Sequence, residues 1–434
     1  MRDAIVIAVV LCGSIAALRR PWIGVLLWTW LSIMNPHRYT WGWAYDAPLA
    51  AIAAGTTLLG LVMSSERRSP MKGTPALWLL LLVVWITLSW LLGIDPSGDY
   101  NQWTKVMKID LMIFVALALL YTKQHIMALA WVATLSLALL GVKGGMFTLM
   151  TGGDYRVWGP EGSFIEDNNE FALALVMTIP LLRFLQTQLQ QRAARVAVTV
   201  SMLLCAVAAV GTHSRGALIA LVSMSVLLWW RGSQRFVGGV AMIVVGVGLV
   251  AFMPDMWSLR MSSIADYEQD RSAMGRISAW WNAWNLAFHY PFGAGFNAAR
   301  AELFAVYSPY PDFVHAAHSI YFQILGNHGF VGLGLFLAVW LATWRCAGVL
   351  RRRGLLKPES RWCAELGAMC QVSLVGYATG GAFLSLAYFD LPYYVMVMVV
   401  LSRVWVERKA WEEEKSSAQA SRWIPGLNPV TKAG

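Results

Sequence analysis

The chain of 434 residues is 58% hydrophobic and 13% charged, with a mean hydropathy of +0.54. A soluble domain carries about 25% charged residues, so lipid is the solvent for most of this chain. The net charge of +10 suits basic loops on the cytoplasmic side of a membrane, and no basic run interleaved with stacking aromatics marks a nucleic-acid surface.

Apolar runs occupy 4–18, 22–35, 48–63, 75–93, 108–121, 126–150, 170–187, 194–211, 216–230, 236–253, 319–345, 366–386 and 391–406. They predict an all-α polytopic membrane protein of about 12 transmembrane helices. Arg19, Arg20 and Pro21 divide the first two runs, which read as an irregular hairpin or as one span plus an interfacial helix. The first run resembles a signal peptide in composition, but it lacks a small-residue cleavage site and is expected to be retained. Many of the 23 Trp, among them Trp22, Trp103, Trp158, Trp229 and Trp405, fall near run ends, where amphipathic rings settle in a bilayer. The five cysteines, Cys12, Cys205, Cys346, Cys363 and Cys370, lie in or near apolar runs without CxxC spacing and read as packing residues.

Basic residues set the predicted orientation. Arg67, Arg68 and Lys72, then Arg192 and Arg195, Arg231 and Arg235, and Arg351, Arg352, Arg353, Lys357 and Arg361 fall in alternate loops, which are therefore cytoplasmic. The complementary loops face outward. Of these only 254–318 is long, and a long loop without apolar spans is usually functional. The expected organisation is 1–253 for the amino-terminal helices, 254–318 for a large periplasmic loop, 319–406 for the last helices, and 407–434 for a cytoplasmic tail.

Chemistry-bearing residues collect at the outward loops. Lys143 stands inside an apolar run, lining a cavity or pairing with a carbonyl. Arg156 and Asn168 share the 151–169 loop. His213, Ser214 and Arg215 form a short turn between two apolar runs, where a guanidinium is costly unless it is paired or serves a ligand. Arg276 follows Gly275 and should lie near the N-terminus of a helix running to Phe288, a place that favours an anion. His315 and His318 are spaced to share a helix face, which permits a metal reading, but no patterned carboxylate or cysteine completes a set, and no metal or cofactor is expected. Asp390 at a tight turn is suited to orienting a histidine or arginine, or to capping a helix. Tyr393 beside it is suited to stacking on a sugar, or is simply interfacial.

The segment His318-Ser319, nine residues, Gly329, two residues and Gly332 resembles the signature of the O-antigen ligase family. His213-Ser214-Arg215-Gly216 resembles that family's outer-face arginine motif, Gly275-Arg276 its second arginine, and Gly162-Ser163-Phe164 with Asp167 to Ala172 a further segment. Met34-Asn35-Pro36-His37-Arg38 looks like the exosortase-associated O-glycosylation ligase subgroup. The resemblance implies a GT-C-like glycosyltransferase in a Gram-negative inner membrane, its active site facing the periplasm. It implies transfer from an undecaprenyl-pyrophosphate-linked glycan to a lipid A-core acceptor, inverting and metal-independent. His318 is then the general base, and Arg215 and Arg276, with Arg156, bind the pyrophosphate. Related polymerases and protein O-oligosaccharyltransferases share much of the pattern, and a lipid-linked glycan transporter is the alternative from another class.

Overall fold

The computed structural model describes residues 1–65, 67–231, 235–254, 257, 271–414 and 416. Among them every regular element is helical. The polar start of the long loop at Asp266 and the tail beyond 416 lie outside these residues. Helix α1 spans Arg2–Arg19, α2 Pro21–Met34, α3 Leu49–Met63, α4 Gly73–Leu91, α5 Pro96–Leu119, α6 Lys123–Met150, α7 Asn168–Gln188, α8 Arg192–Gly211, α9 Arg215–Arg231 and α10 Arg235–Phe252. Next come α11 (Arg271–His289), α12 (Ala301–Tyr307), α13 (Ile320–Gly354), α14 (Arg361–Gly381) and α15 (Asp390–Glu407).

Five of these helices, α4, α6, α7, α8 and α13, are long and apolar enough to cross a membrane. Helices α2 and α3 are apolar but shorter. Helix α4 shows the division of labour. Leu77, Leu80, Leu81, Val84 and Leu88 are exposed, whereas Leu79, Leu82 and Ile86 are buried. The exposed set recurs at helical spacing along one side, as a lipid-facing stripe does. Helix α7 and helix α15 are buried nearly all round and form the middle of the bundle. An all-round apolar helix is what a core position demands.

The two ends of the bundle differ. At one end Arg353 and Arg403 reach Glu407 at 2.6 and 2.9 Å, Lys72 donates to the Leu117 carbonyl at 2.7 Å, and Arg231 donates to Gln371 at 2.9 Å. The other end carries the residues proposed for chemistry.

The long loop is more helical than the sequence suggests. Helix α11 is already formed at Arg271, so Arg276 lies past the unsatisfied N–H groups of a helix's first turn. The amphipathic run Trp280–Phe288 is the later part of this helix. After it, residues 290–296 dock onto α13. Ala294 and Gly295 donate to the Gly326 and Asn327 carbonyls at 3.0 and 2.9 Å. Helix α13 breaks where they dock: Gly329 has φ 68° and ψ −174°. A Cβ there would collide with the Pro291 carbonyl. Only glycine tolerates both the backbone angles and the contact.

Candidate active site

Two turns with the same local design reach the polar end of the bundle. In each a histidine with left-handed backbone precedes a serine and then a helix. His213 (φ 59°) leads into α9 and His318 (φ 41°) into α13. At the first turn the Ser214 hydroxyl accepts from the Ala217 amide at 3.3 Å, and so caps α9.

His213 is buried and its Nε2 donates to the Gly153 carbonyl at 2.9 Å. Asn168, at the start of α7, donates to the Thr212 carbonyl at 2.6 Å. The Val157 amide donates to the Gly211 carbonyl at 3.1 Å. His213 and Asn168 therefore fasten the 151–169 loop to the turn that presents Arg215, and their polar atoms are spent on that. Arg215 itself is the first residue of α9 and half-buried. Arg156 lies exposed on the fastened loop.

His318 meets a carboxylate that the sequence reading did not single out. Its Nδ1 lies 3.6 Å from Glu170 Oε1; the imidazole keeps 19% exposure and the carboxylate 7%. That distance makes an electrostatic pair rather than a hydrogen bond. Glu170 is in the first turn of α7, where Asp167 caps the helix by accepting from the Asn169 amide at 2.8 Å. The Ser385 amide donates to the same Glu170 oxygen at 3.1 Å. A carboxylate in the first turn of a mostly apolar helix was the available signal. What it faces follows only from how α7 packs against residues 383–385.

His315 and His318 do not share a helix face, because residues 313–318 are irregular rather than helical. Their rings nevertheless meet, with centroids 4.9 Å apart. Gly275 packs against the His315 ring, so the adjoining Arg276 acts on it electrostatically. Burial holds the His315 pKa below its usual value; the Ala316 carbonyl opposes this, and His318 and Arg276 add to it. The Asp167 carboxyl is held below its usual range as well. Burial raises it, but hydrogen bonds with Glu170 and Asn169, together with His318 nearby, outweigh that.

Trp280 of α11 closes the cluster. It donates to the Ala317 carbonyl at 2.8 Å and stacks on Phe322 with ring centroids 5.1 Å apart. It also approaches Phe383 at 6.4 Å, the residue on which Gly216 of α9 packs. The turn at 383–385 is thus common ground for α9, Trp280 and Glu170. Behind His315 lies a cavity of about 190 Å³ whose walls include Asn282, Asn297, Gln323, Asn327 and Ser385.

Three candidates stand apart from this cluster. The Lys143 ammonium lies over the Tyr39 ring at 4.6 Å, while Gly144 and Gly145 beside it press α6 against α8. Asp390 is buried and accepts from Ser32 at 2.9 Å; it orients a serine, not a histidine or arginine. Tyr393 is 3% exposed and donates to the Ala387 carbonyl at 2.8 Å. A ring so enclosed has no face left for a sugar. Among the described residues no three His, Cys, Asp or Glu side chains converge as metal ligands.

Residues 200–337, which include His213, Arg215, Arg276, His315 and His318, match the family model described as O-antigen ligase. Residues 1–211 match a family of unknown function (DUF5935). No curated protein matches the chain.

Proposed function

We propose that this chain, whose residues 200–337 match the O-antigen ligase family model, transfers a glycan from undecaprenyl pyrophosphate to a lipid A-core sugar hydroxyl at the periplasmic face of the inner membrane. The family points to ligase- or polymerase-type activity in a multi-pass membrane protein. The observation that carries the finer reading is the pairing of a partly exposed imidazole with a buried carboxylate, His318 with Glu170, beside His315 and Arg276.

In this reading the acceptor hydroxyl oxygen attacks the anomeric carbon and its proton passes to His318. The bond from the anomeric carbon to the phosphate oxygen breaks, and undecaprenyl pyrophosphate leaves with that electron pair. Attack opposite the leaving group inverts the anomeric centre. Glu170 positions the imidazole and stabilises it once protonated, as a carboxylate behind a histidine does. Arg215 and Arg276, with Arg156 at the rim, neutralise the pyrophosphate. Guanidinium groups stay charged at any working pH and match phosphate oxygens in pairs. Their contribution grows as charge develops on the leaving oxygen.

Purified protein with a lipid-linked glycan donor and alternative acceptors tests this. The expected product is one glycan joined to the lipid A-core sugar, with the anomeric configuration inverted and the rate unaffected by EDTA. Chain extension of the donor glycan in place of transfer would make the protein a polymerase. Retained configuration, or activity lost to EDTA and restored by a divalent ion, would contradict the mechanism.

A further inference from the structure

A second polar cavity lies in the amino-terminal half, among residues that belong to no assigned activity. Its volume is about 330 Å³. One wall is a single face of α5, since Asn101, Thr104, Lys105, Lys108 and Ile109 recur at helical spacing. The facing wall is the end of α2 and the turn after it, with Trp28, Ser32, His37 and Arg38; Phe164 of the 151–169 loop closes the side.

The charges in this cavity are of one sign. Arg38, Lys105 and Lys108 line it, and no carboxylate does. The guanidinium of Arg38 lies over the Tyr45 ring at 4.6 Å, and the Lys105 ammonium lies over the Phe164 ring at 3.9 Å. The nearest acids are held by other donors. Glu166 accepts from the Gly162 amide at 2.8 Å, Asp390 from Ser32 at 2.9 Å, and Glu161 from Tyr45 at 3.2 Å. Among the described residues none of the three cations is in an ion pair. Two sheltered polar atoms of the lining, His37 Nδ1 and Thr104 Oγ1, have no hydrogen-bond partner. Asp390 and Glu166 act on Lys105 electrostatically from outside the lining, but no acid stands inside the cavity to receive the three cations, and sheltered polar atoms without partners are costly. An anion with several acceptor oxygens relieves both.

We propose that this cavity binds a phosphate-class anion, presented on the headgroup of a lipid. Arg38, Lys105 and Lys108 supply the charge and Thr104 a neutral donor. Trp28, Leu31 and Phe164 give the attached group an apolar floor, which a free phosphate would not need. The site is distinct from His318 and Glu170 but joined to them, since Gly162, Ser163 and Phe164 lie just before Asp167 and Glu170 on the same segment.

The test measures binding without turnover, so it stands or falls separately from glycan transfer. Full-length protein is placed in nanodiscs of phosphatidylcholine with or without phosphatidic acid, and retained lipid is read by native mass spectrometry. We expect phosphatidic acid to be retained over phosphatidylcholine, inorganic phosphate to displace it, and K105Q/K108Q to weaken it about tenfold or more. Thr104→Val keeps the shape, removes only the hydroxyl, and should weaken retention to a smaller degree even if the double variant folds poorly. Binding of inorganic phosphate alone, with no retained phosphatidic acid, would overturn the lipid source. Equal retention by wild type, K105Q/K108Q and T104V would overturn the site.

Discussion

Among single residues, His318 carries the most. His318→Ala should lower the transfer rate by about 10²- to 10⁴-fold, the usual share of a general base, while leaving donor binding in place. Glu170→Gln should lower kcat with little change in donor KM, because the carboxylate touches the imidazole and not the lipid-linked glycan; a rise in KM alone would remove it from the positioning role. Asp167 offers a pH test. Its folded pKa is depressed, so on acidification the unfolded chain takes up its proton first. The stability it contributes is present above the usual carboxylate range and is lost as the pH falls through its folded value. Thermal unfolding of wild type and Asp167→Asn should therefore differ most near neutral pH and converge in acid; a gap that stays constant in acid would contradict this. His318, Arg215 and Arg276 were proposed from the sequence because each stands in a short motif that charge and turn chemistry make conspicuous. Glu170 was not, because its neighbour lies nearly 150 positions away along the chain and only the packing of α7 brings the two together. Tyr393 shows the converse error: an aromatic next to a turn looks interfacial until neighbouring helices enclose it.

The break in α13 is the element on which the arrangement of the long loop depends. Its docked strand of backbone, residues 290–296, is locked by Ser89 of α4, whose hydroxyl lies 2.6 Å from the Phe292 carbonyl and 2.7 Å from His328 Nδ1. His328 Nε2 in turn lies 2.7 Å from the Tyr388 hydroxyl. Ser89→Ala leaves these buried groups short of a partner and should cost about 1–3 kcal/mol. Gly329→Ala imposes a backbone conformation worth about 1–3 kcal/mol of strain on a residue with a Cβ, and adds the collision with Pro291. Both should appear as lowered unfolding temperatures in detergent; wild-type stability in Gly329→Ala would mean that the break is incidental. The two glycines of the signature are visible in the sequence but their purpose is not, since a helix with a single break keeps the same apolar periodicity on both sides. Helix α11 is formed earlier than its apolar run suggests, because Arg271 to Arg276 are largely polar or small and resemble a loop in sequence. The long apolar runs fall on helices, but only five of the described helices, against the expected dozen, are long and apolar enough to cross a membrane; burial and lipid exposure demand the same composition, so apolarity alone does not separate the two.

For the molecule as a whole, the segregation of function follows from solvent. A lipid-facing bundle has only two wet ends, and charged groups must go to one or the other. One end holds arginines paired with Glu407 or with backbone carbonyls, and the other holds His318, Glu170, His315 and Arg276 with the start of α9 close by. Alternation of basic loops made two chemically different ends an expectation legible in the sequence. How the turn at 383–385 draws α9, α11 and α7 together was not legible there, because three contacts between distant segments define it. The central claim is that His318, Arg215 and Arg276 form one reaction centre. Transfer by purified protein in proteoliposomes, with a radiolabelled undecaprenyl-pyrophosphate glycan and lipid A-core acceptor, tests it most directly across wild type, His318→Ala, Arg215→Ala and Arg276→Ala. Labelled product from wild type, none above background from His318→Ala, and donor binding weakened only in the arginine variants is the predicted result. Undiminished product from folded His318→Ala would contradict it.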